Sequence, residues 1–171
     1  MSTFVRLADD KDADAIAQVH VASWHATYRG ILPDEQIAAR TVEVRRAQWA
    51  ACIEEADRIT LVACDEDGGV QGFASAILLD GSDNGFQSYL QTLYLWPDKQ
   101  NRGIGRQLLH ELVTRLRAAG AKNMALRTLR RNPARGFYER LGARPAPEGI
   151  AHDAGLFDDV VYAFDDLQLL E

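Results

Sequence analysis

The chain has 171 residues, 47% of them apolar, enough for one domain with a buried core and short for two. Its formal net charge of −6 argues against general nucleic-acid binding, which needs a basic surface, and would suit a cationic small substrate. Asp9, Asp10, Lys11, Asp12 and Asp14 arrive early and no apolar stretch approaches spanning length, so a soluble cytoplasmic protein with no signal peptide and no membrane partner is expected.

Residues 3–9 (TFVRLAD) alternate like a short strand, and 12–24 place Ala13, Ile16, Ala17, Val19 and His20 at helical spacing. The loop YRGILPDEQI leads into a short helix from about Pro33, and a second helix is predicted over about 43–55. This stretch is the natural place for a lid or substrate wall. Residues 58–80 predict two strands joined by a turn at 65–69, an antiparallel hairpin. After a polar loop, SYLQTLYLW (88–96) is a strand that Pro97 ends. Ile104, Leu108, Leu109, Leu112, Val113, Leu116 and Ala119 then mark one face of a helix, with Gly120 as its C-terminal cap. NMALRTL (123–129) predicts a strand, NPARGFYERLG (132–142) a short helix and DDVVYAF (158–164) a final strand. The order predicts one α/β (α+β) domain over 1–171, with antiparallel pieces first and a strand–helix–strand crossover later. Cys52 and Cys64 have no CxxC spacing and are expected to be buried thiols.

The segment WPDKQNRGIGRQLL (96–109) sets a turn with Gln100, Arg102, Gly103 and Gly105 on the threshold of the long helix. The first N–H groups of a helix lack partners and carry the positive end of its dipole, so an anion placed there is stabilised. Glycine lets backbone approach closely, and Lys99, Arg102 and Arg106 add charge. The residues alone equally allow a tight strand-to-helix connection. The third glycine of GxGxxG is missing, which argues against a nicotinamide or flavin oxidoreductase, and GxxxxGK[ST] is absent.

LYLWPDKQNRGIGRQLL resembles the acetyl-CoA-binding signature of the GNAT superfamily of N-acetyltransferases, Q/R-x-x-G-x-G/A after a strand and a proline, with Gln100, Gly103 and Gly105 in the defining positions. The resemblance implies that the turn of Gln100, Asn101, Arg102, Gly103, Ile104, Gly105 and Arg106 holds the pyrophosphate of coenzyme A. It also implies that Leu93 and Leu95 pair their backbone with the pantetheine arm, with the Leu95 N–H placed to stabilise an oxyanion at the thioester. NPARGFYERLGA is similar to a second family segment, N-x-x-A-x-x-F-Y-E-x-x-G-F, beside the pantetheine and thiol. Here Asn132 is expected to cap a helix with Pro133 in its first position, and Ala134, Phe137, Tyr138 and Leu141 share a face. Asn132 and Phe137 are thereby candidate cofactor contacts, although Asn132 stands one residue closer to Tyr138 than in the family pattern. VHVASWHATYRGILPDEQI is similar to an N-terminal segment of one group of bacterial GNAT proteins that forms part of the acceptor side. The fold implied is a mixed, mostly antiparallel central sheet flanked by helices and splayed between two parallel strands.

An attacking amine must be neutral, yet a lysine-like amine of pKa about 10.4 is neutral in about one molecule in a thousand at pH ~7.4, a penalty of about 4 kcal/mol. Proximity to the thioester offsets much of it. A phenol of pKa about 10 can protonate a departing thiolate of pKa about 8.5, which makes Tyr138 the candidate general acid; its pattern also fits a core tyrosine. Many GNAT enzymes carry a glutamate at the position of about Tyr89, where this chain has no carboxylate. Asp80, Asp83, or water held by Tyr89, Gln91 or backbone are the alternatives for the base. His25 and Tyr28, near the loop, are candidate acceptor contacts with Tyr89 and Gln91; His20 and Trp24, at i and i+4, fit core packing better. The spacing of His20 and His25 and the absence of HExxH argue against zinc, and no metal is expected. Arg127, Arg130, Arg131 and Arg135 read as a solvated edge, with guidance of an anionic cofactor as the alternative. The expected activity is acetyl transfer from acetyl-CoA to a primary amine of a small molecule or peptide by direct attack. The alternative is a non-catalytic coenzyme A-binding sensor or assembly module. The resemblance leaves a homodimer open.

Overall fold

Seven strands form one sheet in the computed structural model, which describes residues 3–81, 84–146 and 158–170. They are β1 (Phe4–Leu7), β2 (Arg58–Cys64), β3 (Val70–Leu78), β4 (Ser88–Leu95), β5 (Met124–Leu129), β6 (Arg144–Pro145) and β7 (Asp159–Phe164). The spatial order is β1-β2-β3-β4-β5-β7-β6, and every neighbouring pair is antiparallel except β4 and β5. The helices are α1 (Ala13–Tyr28), α2 (Asp34–Ala38), α3 (Val42–Cys52), α4 (Ile104–Ala118) and α5 (Arg135–Arg140).

Both faces of the sheet are covered, so β2 is apolar almost throughout instead of alternating. Its Leu61 and Ala63 meet the apolar stripe of α4, where Leu108, Leu112 and Leu116 are fully buried. Val62 and Cys64 point the other way, onto Ile16, Ala17 and Val19 of α1 and Trp49 of α3. Each fully buried leucine contributes about 1.5–3 kcal/mol of transfer free energy.

The ends of several elements differ from expectation. Nothing between Trp24 and Gly30 breaks a helix, so α1 continues to Tyr28 and carries His25 and Tyr28 in its last turns; Gly30, at φ +79°, turns the chain. Helix α5 begins at Arg135, later than expected, because the Asn132 side chain accepts the Ala134 N–H at 2.9 Å in a turn ahead of the helix instead of capping it. Strand β6, of two residues, is too short to leave a periodic signal. Cys64 is buried as expected, while Cys52 is only half-buried.

One irregularity organises the centre of the sheet. Ser75 faces Thr92 and Ala76 faces Leu90, so Gln91 is an extra residue in β4. Such a bulge bends the strand and shifts its alternation by one residue. Accordingly Leu90, Leu93 and Leu95 all pack on the α4 side, whereas Tyr94 packs with α1. The pairing of β4 with β5 is confined to Tyr89 with Ala125 and Leu90 with Leu126, and the strands part where the bulge begins.

Candidate active site

Beyond Leu90, β4 has β3 on one edge and a gap on the other. The Trp96 N–H donates to Gln71 O at 3.0 Å, and because successive residues of a strand direct their amides to opposite edges, Leu95 and Leu93 present N–H and C=O to the gap. Gly72 of β3 permits this close pairing: a Cβ there would lie 2.1 Å from Leu95 Cδ2 and 2.8 Å from Tyr94 O. The gap opens into a cavity of about 550 Å³ whose walls come from the end of α1, from β4, β5 and α5, and from the turn before α4.

That turn is built on two left-handed residues, Asn101 at φ +59° and Gly103 at φ +84°. Gly103 precedes α4 without a side-chain cap, and the first intrahelical bond runs from Gln107 N to Gly103 O at 3.1 Å. The N–H groups of Ile104, Gly105 and Arg106 are therefore free of helical partners. A Cβ on Gly105 would sit 3.6–3.7 Å from Phe137 and Leu95, in the space where turn, strand and α5 converge. Gln100, Asn101, Gly103, Gly105 and Arg106 line the cavity. Ile104 is buried in the core and Arg102 is exposed, and neither is among the residues that line the cavity. An open strand edge leading to free helix amides flanked by Arg106 and Arg140 fits an amide-containing arm that ends in a pyrophosphate, as in coenzyme A.

Tyr28, Tyr94 and Tyr138 meet at the other end of the cavity. The Asn132 Nδ2 donates to the Tyr28 hydroxyl at 3.1 Å, so both ends of this buried amide have protein partners while it borders the cavity. Burial, and then the neighbouring Tyr28 oxygen, push the Tyr138 phenol above the ordinary tyrosine value. Burial raises Tyr94 still more plainly, and raises Tyr28 despite partial compensation by the Tyr94 and Asn132 side chains. All three are neutral proton carriers near pH 7. No aspartate or glutamate among the described residues lines the cavity.

Other expected site residues lie elsewhere. Tyr89 does not line the cavity: it is 4% exposed, packed with Ile77, Phe86, Ala125 and Val161, because it precedes the bulge where β4 is still paired with β5. Gln91, the bulged residue, does line it and accepts a hydrogen bond from Arg58 Nη1. His25 is half-buried in the last turns of α1 and outside the lining. Asp80 is exposed and also outside it, and Asp83 lies outside the described residues. His20 is a core residue, accepting the Trp49 Nε1–H at 3.1 Å and stacked 4.8 Å from Tyr94. Arg127, expected on a solvated edge, is instead part of the cavity wall, 3.6 Å from Asp159. Thr92, Tyr94 and Arg140 are lining residues that sequence reasoning missed; the shifted alternation after Gln91 hides the first two.

Residues 18–143 match the profile of the Acetyltransferase (GNAT) family. The chain belongs to the GNAT family. It is 32% identical to the uncharacterized N-acetyltransferase YuaI of Bacillus subtilis over 149 residues, 87% of this chain and 82% of that one. It is 29% identical to an aminoglycoside N(6')-acetyltransferase type 1 of Stenotrophomonas maltophilia, over 71% of this chain and 72% of the other. The PaiA N-acetyltransferase of Thermoplasma acidophilum, solved with coenzyme A, shares the fold with a TM-score of 0.77 at 23% identity, over 95% of this chain and 98% of that one. This GNAT protein is an acetyl-CoA-dependent N-acetyltransferase with the mixed, mostly antiparallel sheet of its family. Among its described residues no helix is long and apolar enough to cross a membrane.

Proposed function

We propose that residues 1–171 act as one domain that transfers acetyl to a primary amine of a small molecule or peptide by direct attack, without a covalent enzyme intermediate. The observation that carries this reading is the convergence on one cavity of the open β4 edge, the α4 turn and Tyr138. The backbone of the turn, including Arg102 and Ile104, binds the pyrophosphate, with the side chains of Gln100, Asn101 and Arg106 around it. Leu93 and Leu95 align the pantetheine, and the Leu95 N–H donates to the thioester oxygen as negative charge develops there. Phe137 and Asn132 close the wall beside the sulfur. Tyr28 and Gln91 border the acceptor, with His25 behind them on α1.

As the new C–N bond forms and the C–S bond breaks, Tyr138 passes its proton to the departing sulfur. Its raised pKa does not defeat this role, because the dry environment that disfavours tyrosinate disfavours thiolate as well, and the two proton affinities rise together. With no carboxylate among the described lining residues, the amine proton leaves through water in the cavity.

The test is calorimetric titration with acetyl-CoA of the wild type and of a folded Gly103→Glu variant, followed by amine-dependent thiol release. Binding lost in the variant and turnover of at least one amine are expected. Binding without turnover of any amine would replace transfer by a sensor or assembly role, and no binding by the wild type would overturn both.

A further inference from the structure

The acidic net charge suggests a cationic acceptor, but the side chains packed behind Tyr28 have the opposite character. Trp24, at the end of α1, packs 4.2 Å from the Tyr28 ring. The guanidinium carbons of Arg40, between α2 and α3, and Arg45, in α3, lie 5.4 and 5.9 Å from the centre of the same indole ring. Neither arginine has an ion-pair partner among the described residues. Arg45 Nη1 donates to Gln48 at 2.9 Å, but the Nε–H groups of both arginines and the indole N–H of Trp24 are buried with no acceptor among the described residues. Three orphaned donors, two of them on like-charged groups, are a costly arrangement for a protein to bury unless something anionic completes it. Burial and the Arg40 charge lower the pKa of Arg45, and both cations act in turn on His20. Trp24, Arg40 and Arg45 do not themselves line the cavity; the cluster adjoins its tyrosine end through Tyr28, which lines the cavity and packs on Trp24.

We propose that the acceptor amine carries a compact oxyanion, a carboxylate or a phosphonate, held by the guanidinium groups of Arg40 and Arg45 that lie over the Trp24 ring. The proposal rests on the transferase reading and adds the acceptor's class: an amino acid or aminoalkylphosphonate, in place of a polycation. Arginine suits the task because its planar fork binds either oxyanion through paired hydrogen bonds.

Two readouts test it. Titration with N-acetylglycine and with 2-acetamidoethylphosphonate, in the presence of coenzyme A, should show binding of at least one, with N-acetylglycinamide at least tenfold weaker. Arg40→Gln and Arg45→Gln should each weaken that binding about tenfold or more while affinity for acetyl-CoA, the control for folding, holds. In turnover, either substitution should raise KM for glycine or 2-aminoethylphosphonate by a similar factor with a much smaller change in kcat, and lysine at either position should recover part of the loss. The carboxylate and phosphonate arms identify which oxyanion is preferred. Equal binding of N-acetylglycine and its amide, or equal effects of the arginine variants on spermidine and on the anionic amines, would overturn the proposal. Spermidine turnover untouched by the variants, with no anion bound, would sink the oxyanion site and leave acetyl transfer standing. Arginine-dependent anion binding with no amine turned over would support the site and sink the transfer.

Discussion

His20 illustrates how a single side chain couples the core to pH. Burial, then the charges of Arg45 and Arg40, push its pKa down to about 3 from an ordinary 6.5. Below pH 6.5 the unfolded chain takes up a proton that the folded chain refuses, so stability falls as pH drops from 6.5 towards 3, by at most about 1.4 kcal/mol per pH unit for this one group. Urea unfolding at pH 7 and pH 5 should show the loss, and His20→Gln, which keeps an acceptor for the Trp49 indole, should flatten the dependence. Gly72 is as strict for a steric reason. Gly72→Ala drives a methyl against Leu95 and the Tyr94 carbonyl, and thermal unfolding should show a loss of about 1–3 kcal/mol together with weaker acetyl-CoA binding. Tyr138→Phe removes only a hydroxyl; it should reduce kcat by about 10²-fold or more while leaving acetyl-CoA affinity nearly unchanged, and full turnover would remove Tyr138 from the acid role.

At the scale of elements, the site depends on a discontinuity in β4. Deleting Gln91 removes the extra residue, so that β4 pairs one-to-one with β3 and runs on beside β5 past Leu90, closing the edge that Leu93 and Leu95 offer to the gap. Calorimetry should then find acetyl-CoA binding abolished, whereas Gln91→Ala, which keeps the extra residue, should retain it. Neither the bulge nor the gap was legible in SYLQTLYLW, because apolar residues occupy both faces of this strand and mask its register. The turn after it was legible, since a left-handed N-cap position and a close backbone approach leave glycine as the residue of choice at Gly103 and Gly105. The amphipathic helices were legible for a similar reason: α4 buries one stripe, and that stripe can be counted in the sequence.

For the whole molecule, net charge proved a poor guide to the local field. A chain of charge −6 gathers Arg106 and Arg140 at one end of its cavity and sets Arg127 in the wall. An anionic cosubstrate is drawn to that basic end, and added salt weakens the attraction. KM for acetyl-CoA should therefore rise with ionic strength, and Arg106→Gln should reduce that dependence. A KM independent of salt in the wild type would mean that the arginines at the turn contribute no net attraction.

By itself the sequence determined the elements and the cofactor motif, because helical and strand periodicity, glycine at left-handed positions and the Gln100-to-Gly105 spelling are all local properties of the chain. Only the tertiary structure decided which side chains share the cavity. The placement of Tyr89 away from it, the meeting of Tyr28 with Asn132 across more than a hundred residues, and the pairing of Arg40 and Arg45 over one indole all depend on strand register and helix packing. Those are long-range choices, made by burial of surface between segments that carry no record of one another.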